Sequence, residues 1–128
     1  MKFRNFTPHP LNVVRLDCPD AIELEDRDEY LIIEIPSECA SVKEAPRVEV
    51  VEVGEKVIHT DTFSIPIVDT ENGEVVRLPA PEEGTVFVVS KITLDGSDRT
   101  DLVCVYDTVR NSKGHTLGCR KLSRPVKS

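Results

Sequence analysis

The residues best able to do chemistry in this chain sit in polar runs at the ends of apolar ones. Asn5-Phe6-Thr7-Pro8-His9-Pro10 places a histidine between two prolines, which fix φ at both and bias Thr7 and His9 toward extended backbone. Histidine as a residue type can act as general base, general acid or donor to an anion. Thr7 and His9 would serve equally well to hydrogen-bond a loop. Asp98-Arg99-Thr100-Asp101 offers a guanidinium fork for phosphate or carboxylate, with Asp101 orienting Arg99 or meeting a ribose hydroxyl; a polar turn would use the same four residues. Ser90 and Arg110 stand at neighbouring predicted strand ends. In Gly118-Cys119-Arg120 the thiol is a nucleophile only if a base or cation lowers its pKa. No Cys-His signature is local to it, which favours a structural Cys119.

Three functions of different class accommodate these residues. In the first, Thr7, His9, Ser90, Arg99, Asp101 and Arg110 form a shallow polar pocket at strand ends for a small anionic, nucleotide-like ligand, with Arg99 and Arg110 holding the anion. In the second, an acidic interaction or inhibitor module uses the Asp17 to Glu34 face, including Asp26, Asp28 and Glu29, to cover a basic surface on a host protein. In the third, a small enzyme uses His9 with Asp101 or Cys119. Three scattered histidines lack metal-ligand spacing, and Cys18, Cys39, Cys104 and Cys119 contain no Cys-x-x-Cys pair, so no metal, cofactor or disulfide framework is expected. His59 and His115 read as surface residues.

Composition sets the limits on these readings. The 128 residues suit one domain, and with 5% aromatics and no tryptophan the core must be built mainly from Val, Ile and Leu. A net charge of −7 argues against generic binding to nucleic-acid phosphates, which relies on basic side chains. The charge is lopsided: acids dominate from Arg15 to Glu34, whereas the stretch from Arg110 to the end is basic and contains no acid. The first residues lack an apolar run of signal-peptide length, and no segment has the length of a membrane span. The chain is expected to be cytoplasmic, without membrane partners.

The elements that must position these side chains read as strands. Leu11 to Leu16, Tyr30 to Ile35 and Arg47 to Val53 are short, rich in β-branched residues and bounded by breakers. Alternation in Arg47-Val48-Glu49-Val50 predicts a strand covered on one face. Asn72-Gly73, between Ile65-Pro66-Ile67-Val68 and Val75-Val76-Arg77-Leu78, predicts a hairpin turn, with Pro66 on an edge. Thr85 to Ile92, the most continuously apolar run, predicts a central strand. Leu102 to Tyr106 is a further strand, and Asn111-Ser112-Lys113-Gly114 predicts a second hairpin. No segment has the period of a substantial helix. The expected fold is an all-β barrel or sandwich of short, mostly antiparallel strands over residues 1–124, with 125–128 a flexible basic tail.

The pattern Asn5-x-Thr7-Pro8-His9, then Gly84-Thr85-x-Phe87-x-Val89-Ser90, Arg99-x-Asp101-Leu102 and Val109-Arg110-Asn111-x-x-Gly114-x-x-x-Gly118-Cys119-Arg120 resembles a family of small uncharacterised proteins of bacteriophages, bacteria and some archaea. The likeness runs over nearly the full length and implies a phage or mobile-element context, and it carries no mechanism with it. Members often have a proline shortly before the Val-Arg segment. This chain has Tyr106-Asp107-Thr108 there, which leaves the end of that strand open.

Overall fold

A computed structural model describes residues 1–126. Its strands are β1 (Lys2–Asn5), β2 (Leu11–Val14), β3 (Leu31–Ile35), β4 (Arg47–His59), β5 (Ser64–Val76), β6 (Thr85–Val88), β7 (Leu102–Arg110) and β8 (Thr116–Ser123). Helix is confined to α1 (Arg27–Tyr30), α2 (Lys91–Asp95) and two 3-10 turns. Six strands form one sheet in the order β1-β6-β7-β8-β2-β3, and β4 and β5 pair only with each other. The chain is all-β, as its short β-branched runs and turn signals predict, and most paired residues are antiparallel; β1–β6, β6–β7 and β2–β8 are parallel. None of the described helices is long and apolar enough to cross a membrane.

The continuous apolar character of β6 follows from its place between β1 and β7 with both faces covered. On one face Phe87 and Val89 pack with Leu94 of α2, Leu102 and Cys104. On the other, Val88 and Val103 meet Leu11 of β2 and Cys119 of β8. Strands from opposite ends of the sheet can share that second cluster only if the sheet curls over itself. Its edges meet at a single bridge, Asn5 with Ser37. No ladder joins β1 to β3, so the sheet stays open and the expected barrel closure does not occur.

The β7–β8 hairpin forms where Asn111 to Gly114 predicts it. Asn111 Oδ1 accepts from the backbone N–H groups of Lys113 (3.0 Å) and His115 (2.9 Å), and Gly114 takes φ 79°, a conformation a Cβ would strain. The strand does not end at Tyr106-Asp107-Thr108. It runs through to Arg110, with Asp107 at φ 54°. Where β8 crosses β2, a Cβ on Gly118 would lie 2.9 Å from the Asn12 carbonyl oxygen, so this glycine permits the close approach.

The expected hairpin at Asn72-Gly73 is displaced. Both residues lie inside β5, and the chain reverses at Thr60–Phe63, where Thr60 N–H donates to the Phe63 carbonyl at 2.8 Å. Val48 pairs with Val75 but Val50 with Asn72, so Glu49 alone faces Gly73 and Glu74 in a β-bulge. Gly73 suits that bulge because its Cβ would stand 3.2 Å from the Glu49 carbonyl. The result is an arm of two 13-residue strands, about 40 Å long at ~3.3 Å per residue. Coverage of one face of β4, expected from the alternation at Arg47–Val50, is absent along nearly all of its length. At the base, Thr93 Oγ1 of α2 donates to the Pro46 carbonyl (2.9 Å), and Gly96 packs so closely that a Cβ would lie 2.8 Å from Val48 Cγ2.

Candidate functional site

The Asn5–Pro10 segment is organised by Asn5, whose side chain is fully buried. Its Nδ2 donates to the carbonyls of His9 (2.8 Å) and Ile35 (3.1 Å). Its Oδ1 accepts from the backbone N–H of Thr7 (3.0 Å) and from Thr7 Oγ1 (2.6 Å). Ser37 Oγ donates to the Thr7 carbonyl. One amide thus fastens β1, the loop after it and the end of β3, and the prolines limit the conformations that this amide must hold. Thr7 is engaged by the loop, as the structural alternative requires, while the exposed His9 uses its backbone carbonyl and leaves its ring over a cleft.

That cleft encloses about 410 Å³ between the loop and the β7–β8 hairpin. Its walls combine Leu11, Val105 and Leu117 with the hydroxyls of Thr108 and Thr116, and with Asn12. The enclosed Asn12 Oδ1 has no hydrogen-bond partner among the described residues. Among the described residues no lysine or arginine lines the cleft. Ser90, Arg99, Asp101 and Arg110 are not part of it.

Those four residues are placed and occupied elsewhere. Ser90 caps α2, accepting from Thr93 N–H at 3.3 Å and donating to Thr93 Oγ1 at 2.9 Å. Arg99 grips Asp101 through two bonds, Nε to Oδ1 at 2.9 Å and Nη2 to Oδ2 at 2.7 Å, and donates to the Pro79 carbonyl. Its guanidinium lies 5.5 Å from the centre of the Phe87 ring, which Arg4 approaches at 5.8 Å. Arg4 in turn pairs with Glu38 and Glu82. Two guanidiniums therefore face three carboxylates, and both are paired within the cluster. Arg99 holds the Asp101 carboxyl below its ordinary pKa, and Arg4 does the same to Glu38. Arg110 braces its own hairpin through Nη1 and the Gly114 carbonyl (3.0 Å). It sits at the far end of the 9-residue β7 from Asp101, up to about 30 Å along the strand at ~3.3 Å per residue. The six residues expected to make one anion pocket do not converge, because β7 separates its two ends.

The third arrangement fares no better as a reactive centre. All four cysteines are free and buried, and burial pushes the Cys119 thiol up, away from the thiolate a nucleophile needs. Arg120, on the opposite face from Cys119, donates to the Cys18 carbonyl at 2.7 Å and to Asp107 at 2.9 Å, and also pairs with Asp20. It locks the loop after β2 onto the β7–β8 hairpin at the point where Asp107 departs from extended backbone. Asp101 is held by Arg99, and among the described residues the His9 ring has no hydrogen-bonding side-chain partner. No three His, Cys, Asp or Glu side chains among the described residues are grouped to hold a metal.

Two surfaces are distinctive. The first is the expected acidic face, where Glu23, Asp26 and Glu29 border a shallow depression beside Tyr30 and Ser112. The second, which the sequence did not lead us to expect, is the arm. Nine of its apolar side chains (Val50, Val51, Val53, Val57, Ile58, Phe63, Ile65, Ile67 and Val68) are 38–60% exposed. Facing pairs place them on both sides: Ile58–Ile65 on one, Val57–Pro66 on the other. The signal was present in the sequence as β-branched apolar runs on both flanks of Thr60–Phe63, but the Asn72-Gly73 turn signal divided the second run. At the other end of the chain, Arg124 donates to the Thr100 carbonyl at 3.1 Å, and the last two residues of the expected tail, Lys127 and Ser128, lie outside the described residues. No protein-family model matches this chain, and no curated protein or solved structure shows significant similarity to it.

Proposed function

We propose that this protein is an interaction module that engages another protein through the β4–β5 arm. The observation that carries this reading is the uncovered apolar surface of the arm. A two-stranded ribbon is at best marginally stable in water by itself and normally gains stability by packing one face on a helix or further strands. Here only the base is packed, against α2. Full burial of a Val or Ile side chain, ~1.5–3 kcal/mol at ~25 cal/mol/Å², corresponds to roughly 60–120 Å², so nine half-exposed side chains present roughly 400 Å² of apolar surface. That lies within the ~300–600 Å² of the largest patches on monomers, which are often functional. It is also about half of the ~800 Å² that one partner contributes to a standard interface. The reading retains the interaction class suggested by the acidic charge and moves its surface from the Asp17–Glu34 face to the arm.

The test is affinity capture from a lysate with the native chain and with an Ile58→Ser/Ile67→Ser variant, whose changes lie on exposed positions. A partner retained by the native chain and lost by a variant with an unchanged unfolding midpoint is the expected outcome. Equal capture by both overturns the reading.

A second reading keeps Thr7 and His9 from the ligand-pocket expectation. The unpartnered Asn12 Oδ1 in the wall of the 410 Å³ cleft favours a small uncharged ligand with a hydrogen-bond donor, because an unmet buried acceptor costs ~1–3 kcal/mol that such a donor recovers. A thermal-shift screen should then return neutral donors such as nucleosides ahead of phosphates, with the shift lost in Asn12→Leu. Preferential stabilisation by phosphates would refute it.

A further inference from the structure

The charge on the arm specifies what covers it. Glu49, Glu52, Glu55, Asp61, Asp69, Glu71 and Glu74 stand against Arg47 and Lys56 between residues 47 and 76, a net −5 of the chain's −7. In the ladder Glu71 stands opposite Val51 and Glu55 opposite Val68, so carboxylates share the faces of the arm with its exposed apolar side chains. The edges are guarded. Pro66 removes a donor from β5, and β4 carries register shifts at Val48/Val50 and Glu52/Gly54; a missing donor and bulges are devices that discourage strand-on-strand pairing. The faces have no such protection.

Resting on the arm reading above, we infer that the partner presents a groove with an apolar floor and a cationic rim, which takes the arm by its faces. Apolar contact at the centre and opposite charge around it is the anatomy of a specific interface, and charge complementarity of this kind steers encounter and rejects wrong partners. A second copy is the wrong occupant: two arms face to face would oppose −5 with −5, and the guarded edges resist ribbon-to-ribbon pairing. Nucleic acid and anionic lipid are repelled by the same charge.

The partner's surface can be imitated by three fluorescent 18-residue helical peptides: one with Leu and Lys faces, one with Leu and Glu faces, and one with Ser and Lys faces. Anisotropy with the full chain should show binding by the Leu/Lys peptide only. Affinity should fall tenfold or more in Ile58→Ser/Ile67→Ser. It should also fall severalfold, with a flatter salt dependence, in Glu52→Gln/Glu55→Gln/Glu71→Gln. Equal binding of the Leu/Glu peptide, or Leu/Lys binding indifferent to both variants, overturns the inference. So does salt-induced dimerisation of the native chain in sedimentation that Ile58→Ser/Ile67→Ser abolishes, because the occupant is then a second copy. Arm-dependent capture of a partner that lacks a cationic groove would refute this inference while leaving the interaction role standing, whereas arm-independent capture would refute the role itself.

Discussion

Replacing Asn5 with alanine removes an amide that makes four hydrogen bonds at 2.6–3.1 Å from a fully buried position. Each such bond contributes a net ~1 kcal/mol, and a buried group left unmet costs ~1–3 kcal/mol. Thr7 and His9 are partly accessible and regain some hydration, so the four together amount to about 3 kcal/mol. For a domain of this size about 3 kcal/mol corresponds to a fall of roughly 10 °C in Tm. The assay is urea unfolding at pH 7, where the midpoint should fall and the slope stay constant. Asn5→Asp sharpens the test because it keeps the shape while turning the Nδ2 donor into an oxygen facing two carbonyls. Its carboxylate is destabilised in the fold, so its folded pKa rises above the unfolded ~3.9. Protons are then bound more tightly by the folded state between those two values, and stability relative to the native chain declines as pH rises through that window. Asn5→Asp should therefore be closest to native near pH 4 and worst at pH 7. A loss below about 1 kcal/mol in Asn5→Ala, or a pH-independent deficit in Asn5→Asp, would refute the assignment of Asn5 as the organiser of this loop.

Two further outcomes follow from the geometry. Asp101→Ala should destabilise the fold by about 1–2 kcal/mol at pH 7, since its bonds to Arg99 are charge-assisted but partly exposed. Because Arg99 depresses the folded pKa of Asp101, that contribution is full above the ordinary carboxylate pKa and is lost as pH falls through the depressed value; a difference from native that persists at pH 2 contradicts this. Gly118→Ala must move β2 from β8 to relieve the 2.9 Å contact with the Asn12 carbonyl, an overpacking strain of about 1–3 kcal/mol, and unchanged urea stability would show that the crossing is looser than described.

The fold gives several of the polar and glycine residues singled out in the sequence a structural use. Asn5 organises a loop, Ser90 caps α2 and Arg99 grips Asp101. Gly114 turns a hairpin, Gly118 admits β2, and Arg120 locks a loop to a strand. A polar residue at a strand end is needed for binding or for closing the fold, and its type alone does not separate the two uses.

Features set by short-range interactions are legible in the residues themselves. Asn111 to Gly114 close a turn within five residues, so that hairpin is legible. The apolar run from Thr85 announces burial on both faces, but the strand expected to reach Ile92 ends at Val88, where Ser90 caps α2 (Lys91–Asp95); the absence of 3.6-residue periodicity correctly predicts strands with only short helices. What the tertiary structure alone decided is what pairing at a distance decides. Asn72-Gly73 suits a turn and a bulge equally, and only the register against Val48 and Val50 selects the bulge and so extends two short strands into an arm. Arg99 is a guanidinium fork in either setting, and only folding brings Asp101, Pro79 and Phe87 around it. The two ends of β7 carry similar polar residues, and it is the rigid length of the strand that keeps Arg110 from joining Arg99. Likewise, an alternating apolar strand implies a partner, and nothing local to that strand could reveal that this chain leaves the partner's place open.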